Sequence, residues 1–211
     1  MFRTISPNVF DDLLASAPAS AAFREEYARH EFLHDRRYID ASVQEGAFHV
    51  EGSLRAPAFY TLVLGDLSVE GMIDLRTSYD SGGLFIVIGN VWCEHFISED
   101  SAGVFIDGDL HAGGAVVIAY SDSSFSVVGS LRARLLIGND QWASVGSGAV
   151  IDYGIGYCAA LESDGRSGIV RPLHDERATI QALILQPQEE GWPFDAEEIA
   201  KRIRSGEPLF K

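Results

Sequence analysis

Hydrophobic and small polar residues follow one another in the middle of the chain in a pattern that recurs five times. Each copy has an aliphatic residue, any residue, glycine, Ser, Asp or Asn, and then Leu or Val, at residues 50–54, 63–67, 87–91, 106–110 and 127–131. The glycines of successive copies are 13, 24, 19 and 21 residues apart. Repetition at such intervals is typical of a solenoid, in which each coil buries its apolar face against the next.

Each copy predicts two short strands joined by a corner. Glycine accepts a positive φ and a small polar side chain bonds to nearby backbone, so Gly65 and Gly108 are predicted to bend the chain. Two residues after each Leu or Val comes a residue predicted to point inward. These residues are Ala56, Val69, Cys93, Ala112 and Ala133. A degraded sixth copy at residues 148–150 brings the prediction to about six coils over residues 46–160, with a misshapen first coil.

The segments that flank the repeats have a different pattern. Residues 1–45 contain apolar residues at helical spacing, which predicts two helices within residues 7–34. In residues 161–211 the stretch 179–185 is predicted to form one more strand, and a capping box at 195–198 opens a helix that stops at Gly206. Both segments are predicted to cap the solenoid, whose end strands need cover. The predicted fold is an all-β solenoid, a right-handed parallel β-helix with α-helical N- and C-terminal caps, folded as one unit.

The composition is that of a single folded domain. The chain has 211 residues of which 46% are hydrophobic, which suits a single domain. It has no apolar run of about 18 residues and no signal-peptide pattern near Met1, so a cytoplasmic location is expected. Cys93 and Cys158 stand far apart in apolar surroundings, which favours buried free thiols over a disulfide. No cysteine metal site and no cofactor are expected.

Charge is the second strong signal in the sequence. The chain has 31 acidic and 16 basic residues, a formal net charge of −15, which makes nucleic acid a poor partner. Residues 77–131 contain no Lys or Arg. A solenoid would stack the acidic residues of this stretch into a stripe, which either keeps the protein soluble or docks a basic protein. The candidate partner-binding residues are Asp80, Glu94, Glu99, Asp100, Asp107, Asp109 and Asp122.

Two enzymatic alternatives have candidate residues. His30, Glu31 and His34 match the HExxH pattern, in which two histidines on one helical face bind Zn²⁺ and the glutamate activates water. The charged sequence that follows His34 and the missing third ligand favour a charged helix end instead. Asp66, Asp107 and Asp109 would be the acid and base of a carbohydrate-active β-helix. Their positions also suit turn-forming residues.

The repeats resemble the parallel β-helix of bacterial polymer-forming, bactofilin-like proteins. The resemblance covers residues 46–160, with Val63-Leu64-Gly65-Asp66-Leu67 as the best copy. It implies a cytoskeletal scaffold that polymerises end to end, whereas a capped solenoid should not polymerise. With its helical flanks the chain is similar to stand-alone binding proteins, among them immunity proteins that neutralise a secreted toxin.

The expected function is therefore that of a non-enzymatic cytoplasmic binding protein. The most concrete form is an immunity-type inhibitor, a monomer or small closed oligomer whose acidic face binds a basic protein toxin. A bactofilin-like scaffold is the alternative, and a zinc hydrolase through the HExxH motif or a carbohydrate-active enzyme is a further one.

Overall fold

The structure is a computed structural model that describes residues 1–30, 40–75, 83–99, 103–119, 124–139, 142–156, 172–185 and 196–211. Within these residues the chain forms four helices and 17 strands. The helices are α1 (Pro7–Ser16), α2 (Ala21–His30), α3 (Glu176–Ala182) and α4 (Ala196–Arg204). The strands are β1 (Arg3–Ile5), β2 (Ala41–Glu45), β3 (Phe48–Val50), β4 (Leu54–Arg55), β5 (Tyr60–Leu64), β6 (Leu67–Val69), β7 (Met72–Asp74), β8 (Leu84–Ile88), β9 (Val91–Cys93), β10 (His95–Glu99), β11 (Gly103–Ile106), β12 (Leu110–Ala112), β13 (Ala115–Ala119), β14 (Ser124–Val127), β15 (Leu131–Asn139), β16 (Trp142–Val145) and β17 (Ala149–Gly156).

The strands wind into a parallel β-solenoid of about five turns, which confirms the predicted solenoid class. Its first side consists of β2, β5, β8, β11, β14 and β16, paired in parallel in that order. Its second side consists of β3, β6, β9, β12 and the first halves of β15 and β17. Its third side consists of β4, β7, β10, β13 and the second halves of β15 and β17. The predicted count of six coils is not confirmed.

The repeats supply the core, as their pattern predicts. Leu67, Val91, Leu110 and Leu131 are in register on the second side, and each is 0% exposed. The predicted inward position two residues later is also buried, for example at Cys93. Cys93 is a free thiol, and burial raises its pKa. Stacked apolar layers of this kind stabilise each coil through its neighbours.

Corner glycines stack on one another along the axis. The predicted positive φ is found at Gly65 and Gly89, with values of 145° and 154°. The prediction is wrong at Gly108, whose φ lies outside the left-handed region. There a Cβ atom would lie 2.5 Å from the carbonyl oxygen of Gly89, so close backbone stacking excludes a side chain.

The first repeat copy belongs to a different corner. Gly52 lies beneath Gly71, whose amide donates to the Gly52 carbonyl, whereas Gly65 stacks on Gly46. The short first interval in the sequence therefore joins two different corners, and the predicted misshapen first coil is wrong. The stacked corner is formed by Gly46, Gly65, Gly89, Gly108 and Gly129.

Helices cover two sides of the solenoid. The predicted N-terminal helices are present as α1 and α2, which pack against the first side through Phe10 on Tyr60 and Tyr27 on Phe105. Helix α4 packs against β13 and β15 on the third side, and α3 packs against β17. Most of these contacts are with outward-facing side chains, so the predicted role of the helices as end caps is not confirmed.

The predicted strand at residues 179–185 is wrong, because most of this stretch belongs to α3. The Asp175 carboxylate accepts the Ala178 N–H at 2.7 Å and caps the helix. Thr179 and Leu183 are both 0% exposed. Leu183 is the extended C-cap residue of α3 and forms an isolated antiparallel bridge with Phe210, so extended backbone begins only after the helix.

Both ends of the solenoid have hydrogen-bonded partners. Strand β1 pairs antiparallel with β2 at the first turn. At the last turn the amides of Leu173 and His174 donate to the carbonyls of Ile151 and Asp152 in β17. These contacts occupy strand edges that would otherwise offer unpaired backbone groups.

Candidate functional site

The predicted acidic residues lie in several different environments. Asp80, Asp100 and Asp122 lie outside the described residues. Glu99 and Asp107 make contacts with helices, Asp109 contacts a neighbouring coil, and Glu94 is exposed. The structure therefore does not bring the four described residues together on one surface.

Glu99 belongs to a buried charge cluster beneath α4. The Arg204 guanidinium lies 2.8 Å from Asp74 Oδ1 and 2.6 Å from Glu99 Oε2. Asp74 is 5% exposed and Glu99 is 3% exposed. Hydrogen bonds to Asp74 raise the pKa of Arg204, against an opposing effect of burial. The cluster holds α4 against strands β7 and β10, so Glu99 has a structural role and is not exposed to a partner.

Asp107 holds the start of α2. Its carboxylate accepts the backbone N–H of Ser20 at 2.6 Å and a hydrogen bond from the Ser20 hydroxyl. The Ser20 hydroxyl in turn accepts the N–H of Phe23 and caps the helix. A carboxylate at a helix N-terminus is also favoured by the helix dipole.

Asp109 is one step of a polar ladder beside the stacked glycines. Asp66 Oδ1 accepts the Asn90 N–H at 2.8 Å, Asn90 Oδ1 accepts the Asp109 N–H at 2.9 Å, and Asp109 Oδ1 accepts the Ser130 N–H at 2.7 Å. The bonds from Ser130 lower the pKa of Asp109. A glycosidase acid needs a raised pKa, so this residue is poorly suited to that role.

The zinc motif begins at the end of α2. His30 is the last residue of that helix, and Glu31 and His34 lie outside the described residues. Among the residues that the structure describes, no three His, Cys, Asp or Glu side chains converge to hold a metal ion.

The second side of the solenoid carries a row of outward-facing side chains, which we call the open face. The row runs along the axis with one residue per layer, in backbone register. Its members are His49, Ser68, Trp92, His111, Arg132 and Val150. Four of them are exposed and two are partly buried, and Trp92 and Val150 are 39% and 55% exposed.

Charged residues flank the open face. His49 Nε2 lies 3.5 Å from Glu70, and His111 Nε2 lies 3.9 Å from Asp109. The ring of Trp92 is 6.2 Å from that of His111. This surface therefore combines an exposed aromatic centre with carboxylates on either side.

A shallow cavity of about 440 Å³ lies at the last layers of the open face. Its lining includes His111 in the fourth layer, Arg132 and Arg134 in the fifth, and Val150 and Asp152 in the sixth. Glu70 and Asp109 thus border the second and fourth layers, while Arg132 and Arg134 lie in the fifth layer and Asp152 in the sixth.

Sequence reasoning missed the open face, although its signal was present. In four of the five copies its residue stands between the Leu or Val of the copy and the inward residue, as in Val91-Trp92-Cys93 and Leu110-His111-Ala112. Alternation along a strand places such residues on the outside. The sequence did not show which outer side the helices leave exposed.

None of the described helices combines the length and apolarity needed to cross a lipid bilayer. Comparison of the chain with protein-family models, with curated proteins and with solved structures found no match.

Proposed function

We propose that the protein is a non-enzymatic binding protein whose open face holds a basic protein partner, in the manner of an immunity-type inhibitor. The observation that carries this proposal is the difference among the three sides. Helices cover the first and third sides, whereas the second side leaves Trp92, Arg132 and Val150 exposed. An exposed aromatic residue within a rigid row is a common anchor of protein interfaces.

The dimensions of the open face suit a protein partner. Its six residues lie in six layers separated by five strand spacings, and at about 4.8 Å each these spacings span about 24 Å. An interface of ordinary size buries about 800 Å² per partner and is therefore about 28 Å across, so the open face matches it in length. The partner would meet a stiff surface, because each of the four inner layers is paired with a strand on both sides.

Charge supports a basic partner. The chain has a formal net charge of −15, and the exposed Glu70 and the half-exposed Asp109 border the open face. Complementary charge increases association rates and disfavours acidic partners. In this proposal the basic surface of the partner lies over the first layers, and Arg132 contacts an acidic or polar group.

Three finer features belong to the same proposal. The solenoid would be right-handed, the turn that contains Gly148 would count as a sixth coil, and the protein would act in the bacterial cytoplasm. The helices would then protect the ends of the solenoid as well as its sides.

The scaffold alternative is less well supported by the contacts at the ends. End-to-end polymerisation would use the strand edges at both ends, and part of each end is already bonded, because β1 pairs with β2 and residues 173–174 bond to β17. Among the described strands, β3, β4 and β16 are the remaining edge strands. We therefore do not propose filament formation as the main function.

The test uses a matched pair of variants. Trp92→Ala removes an anchor of the open face, whereas Val9→Ala removes a side chain on α1 that is 40% exposed, close to the 39% of Trp92. Each variant and the wild type are used to capture proteins from the source cells at low salt, and captured proteins are identified and titrated by calorimetry.

The proposal expects one dominant basic protein that binds the wild type and Val9→Ala equally. Trp92→Ala should weaken the binding at least about 30-fold, as for an interface hot spot. Added salt should lower the affinity further. Equal affinity for all three proteins would show that the open face is not the binding surface.

A further inference from the structure

A groove of about 550 Å³ lies beside the open face, between a corner of the solenoid and the C-terminal end of α4. One wall is the corner between the second and third sides, from Ser53 in the first layer to Arg134 in the fifth. The other wall is formed by Ile203 and by residues 206–210. The volume is within the range of ligand sites in proteins, which is about 300–1,000 Å³.

Two glycines shape the floor of this groove. A Cβ atom at Gly113 would lie 2.6 Å from Glu94 Oε2, and a Cβ atom at Gly114 would contact the ring of His95. The side chains of Glu94 and His95 therefore rise into the space that the next coil leaves free. The chain makes room for an adjacent acid and imidazole at the centre of the groove.

The imidazole of His95 has a defined hydrogen-bonding role. Its Nδ1 accepts the Ala115 N–H at 3.0 Å, so the neutral ring carries its proton on Nε2 and can donate from there. Burial lowers the pKa of His95, although the nearby Glu94 has the opposite effect. The ring is thus a hydrogen-bond donor for a neutral acceptor such as a peptide carbonyl.

Four charged side chains among the described residues line the groove. Arg204 pairs with Asp74 and Glu99, and Glu207 pairs with Arg202, which leaves Glu94 and Arg134 at separate points along its length. Glu94 is an exposed carboxylate near the middle. Arg134 lies at one end, where its guanidinium stacks on the Phe210 ring at 3.8 Å and leaves its N–H edges available. Ile203 and Leu209 give the facing wall an apolar character.

Corner backbone groups are already bonded between coils. The amides of Glu94, Gly113, Gly114 and Arg134 donate to carbonyls of the preceding coil. A ligand in the groove therefore cannot add a strand to the sheet. Recognition must come from side chains, and Glu94, His95 and Arg134 are the titratable ones on the corner wall.

We propose that this groove binds an extended peptide segment that places a basic side chain against Glu94. The groove crosses five layers, or four spacings of about 4.8 Å, which gives a length of about 19 Å. An extended chain advances about 3.3 Å per residue, so the groove holds about six residues. His95 Nε2 donates to a carbonyl of the peptide, Arg134 binds a carbonyl or carboxylate, and apolar side chains face Ile203.

The proposal is independent of the open face, because Trp92 does not line the groove. It is tested with two fluorescein-labelled hexapeptides of alanine and leucine, one with a central arginine and the other with glutamate at that position. Binding to the full chain is followed by fluorescence anisotropy, and NMR follows the Gly113 and Gly114 amides.

The arginine peptide should bind and shift both glycine amides, and the glutamate peptide should bind at least about tenfold more weakly. Glu94→Gln keeps the shape of the side chain and should weaken the arginine peptide at least about tenfold, because it removes a charge-assisted hydrogen bond. Glu51→Gln, which changes an exposed glutamate of the first layer outside the groove, is the matched control and should leave the affinity unchanged.

Gly113→Leu provides a second variant, because φ at Gly113 lies outside the left-handed region and its nearest obstacle is the flexible end of Glu94. Filling the floor should abolish peptide binding while the circular dichroism spectrum stays that of the wild type. Absence of binding by either peptide, equal binding of both, or full affinity in Glu94→Gln would each overturn the proposal. Trp92→Ala should bind the arginine peptide normally, so this proposal and the proposed function can fail separately.

Discussion

The first side of the solenoid and the open face share the same alternation of inward and outward residues, but their outward side chains lie in different environments. Phe105 in β11 and Trp92 in β9 are aromatic residues that point outward from neighbouring layers. Phe105 is 1% exposed, because α2 lies over it and Tyr27 meets its ring edge to face at 5.2 Å. Trp92 is 39% exposed. A strand repeat thus fixes what points outward, whereas a distant segment decides whether it is buried.

The difference separates stability from recognition. Side chains under the helices contribute to the folding free energy through burial. Substitution of side chains on the open face should change the folding free energy little, so these side chains are available for a partner. Four predictions compare the covered sides with the exposed surfaces, from the largest expected effect to the smallest.

Exchanging the two outward aromatics for alanine should give stability losses of very different size. Phe105→Ala should lower the free energy of unfolding by about 3–5 kcal/mol, because it leaves a cavity beneath α2. Trp92→Ala should lower it by less than about 1 kcal/mol, because its ring is already partly in water. Urea denaturation measures both, and similar losses in the two variants would contradict the contrast between the sides.

Arg204→Met should loosen the covered third side. The change removes the guanidinium from beside Asp74 and Glu99, two carboxylates that are buried, and should cost about 3–5 kcal/mol. Lys201→Met on the same helix is the control, because the Lys201 side chain is 76% exposed and its ion pair should contribute less than about 0.5 kcal/mol. Thermal unfolding of both variants tests this, and equal stability would mean that the cluster does not hold α4.

Alanine at three corner glycines should separate backbone clash from backbone strain. Gly89→Ala should cost about 3 kcal/mol, because its φ is 154° and the new Cβ would lie 2.6 Å from the Gly65 backbone. Gly52→Ala, with φ of 81° and open space, should cost about 1 kcal/mol.

Gly113→Ala completes the series and should cost less than about 0.5 kcal/mol, because only the end of the Glu94 side chain has to move. Denaturation midpoints of the three variants should follow that order. A reversed order would refute the stacked-corner explanation.

The smallest effect should be a dependence of stability on pH that arises from His95. Burial lowers the pKa of His95 from 6.5, so the folded protein binds fewer protons than the unfolded chain just below that pH. The free energy of unfolding should therefore be highest above pH 6.5 and fall as the pH drops toward the pKa of the folded state. His95→Gln should flatten this slope between pH 7.5 and pH 5, whereas an unchanged slope would assign it to other groups.

The sequence predicted the layers well because every layer repeats the same local requirement. Leu67, Val91 and Leu110 occur at equivalent positions, and each fills the same space above its predecessor. One corner was misassigned, since Gly52 and Gly65 share a local motif but stack on different glycines. A motif reports the local bend and does not report which coil lies beneath it.

Prediction of the candidate sites was limited by long-range contacts. Glu99 and Asp107 looked like surface acids, but their partners Arg204 and Ser20 are 105 and 87 residues away in the chain. Strand alternation could have marked Trp92 as outward-facing. Neither its exposure nor the position of α4 beside Glu94 follows from a local pattern, because both depend on where the flanking helices pack.

The polar ladder and the stacked glycines give the open face the properties of a ruler. Its graduations are one side chain every 4.8 Å or so, set by the spacing of strands and not by the side chains themselves. An α-helix laid along the axis repeats about every 5.4 Å and drifts by about 3 Å over the five intervals, so it can match only part of the scale. A ligand whose own period equals the strand spacing would contact the side chain of every layer. One more coil would add one more side chain at the same spacing.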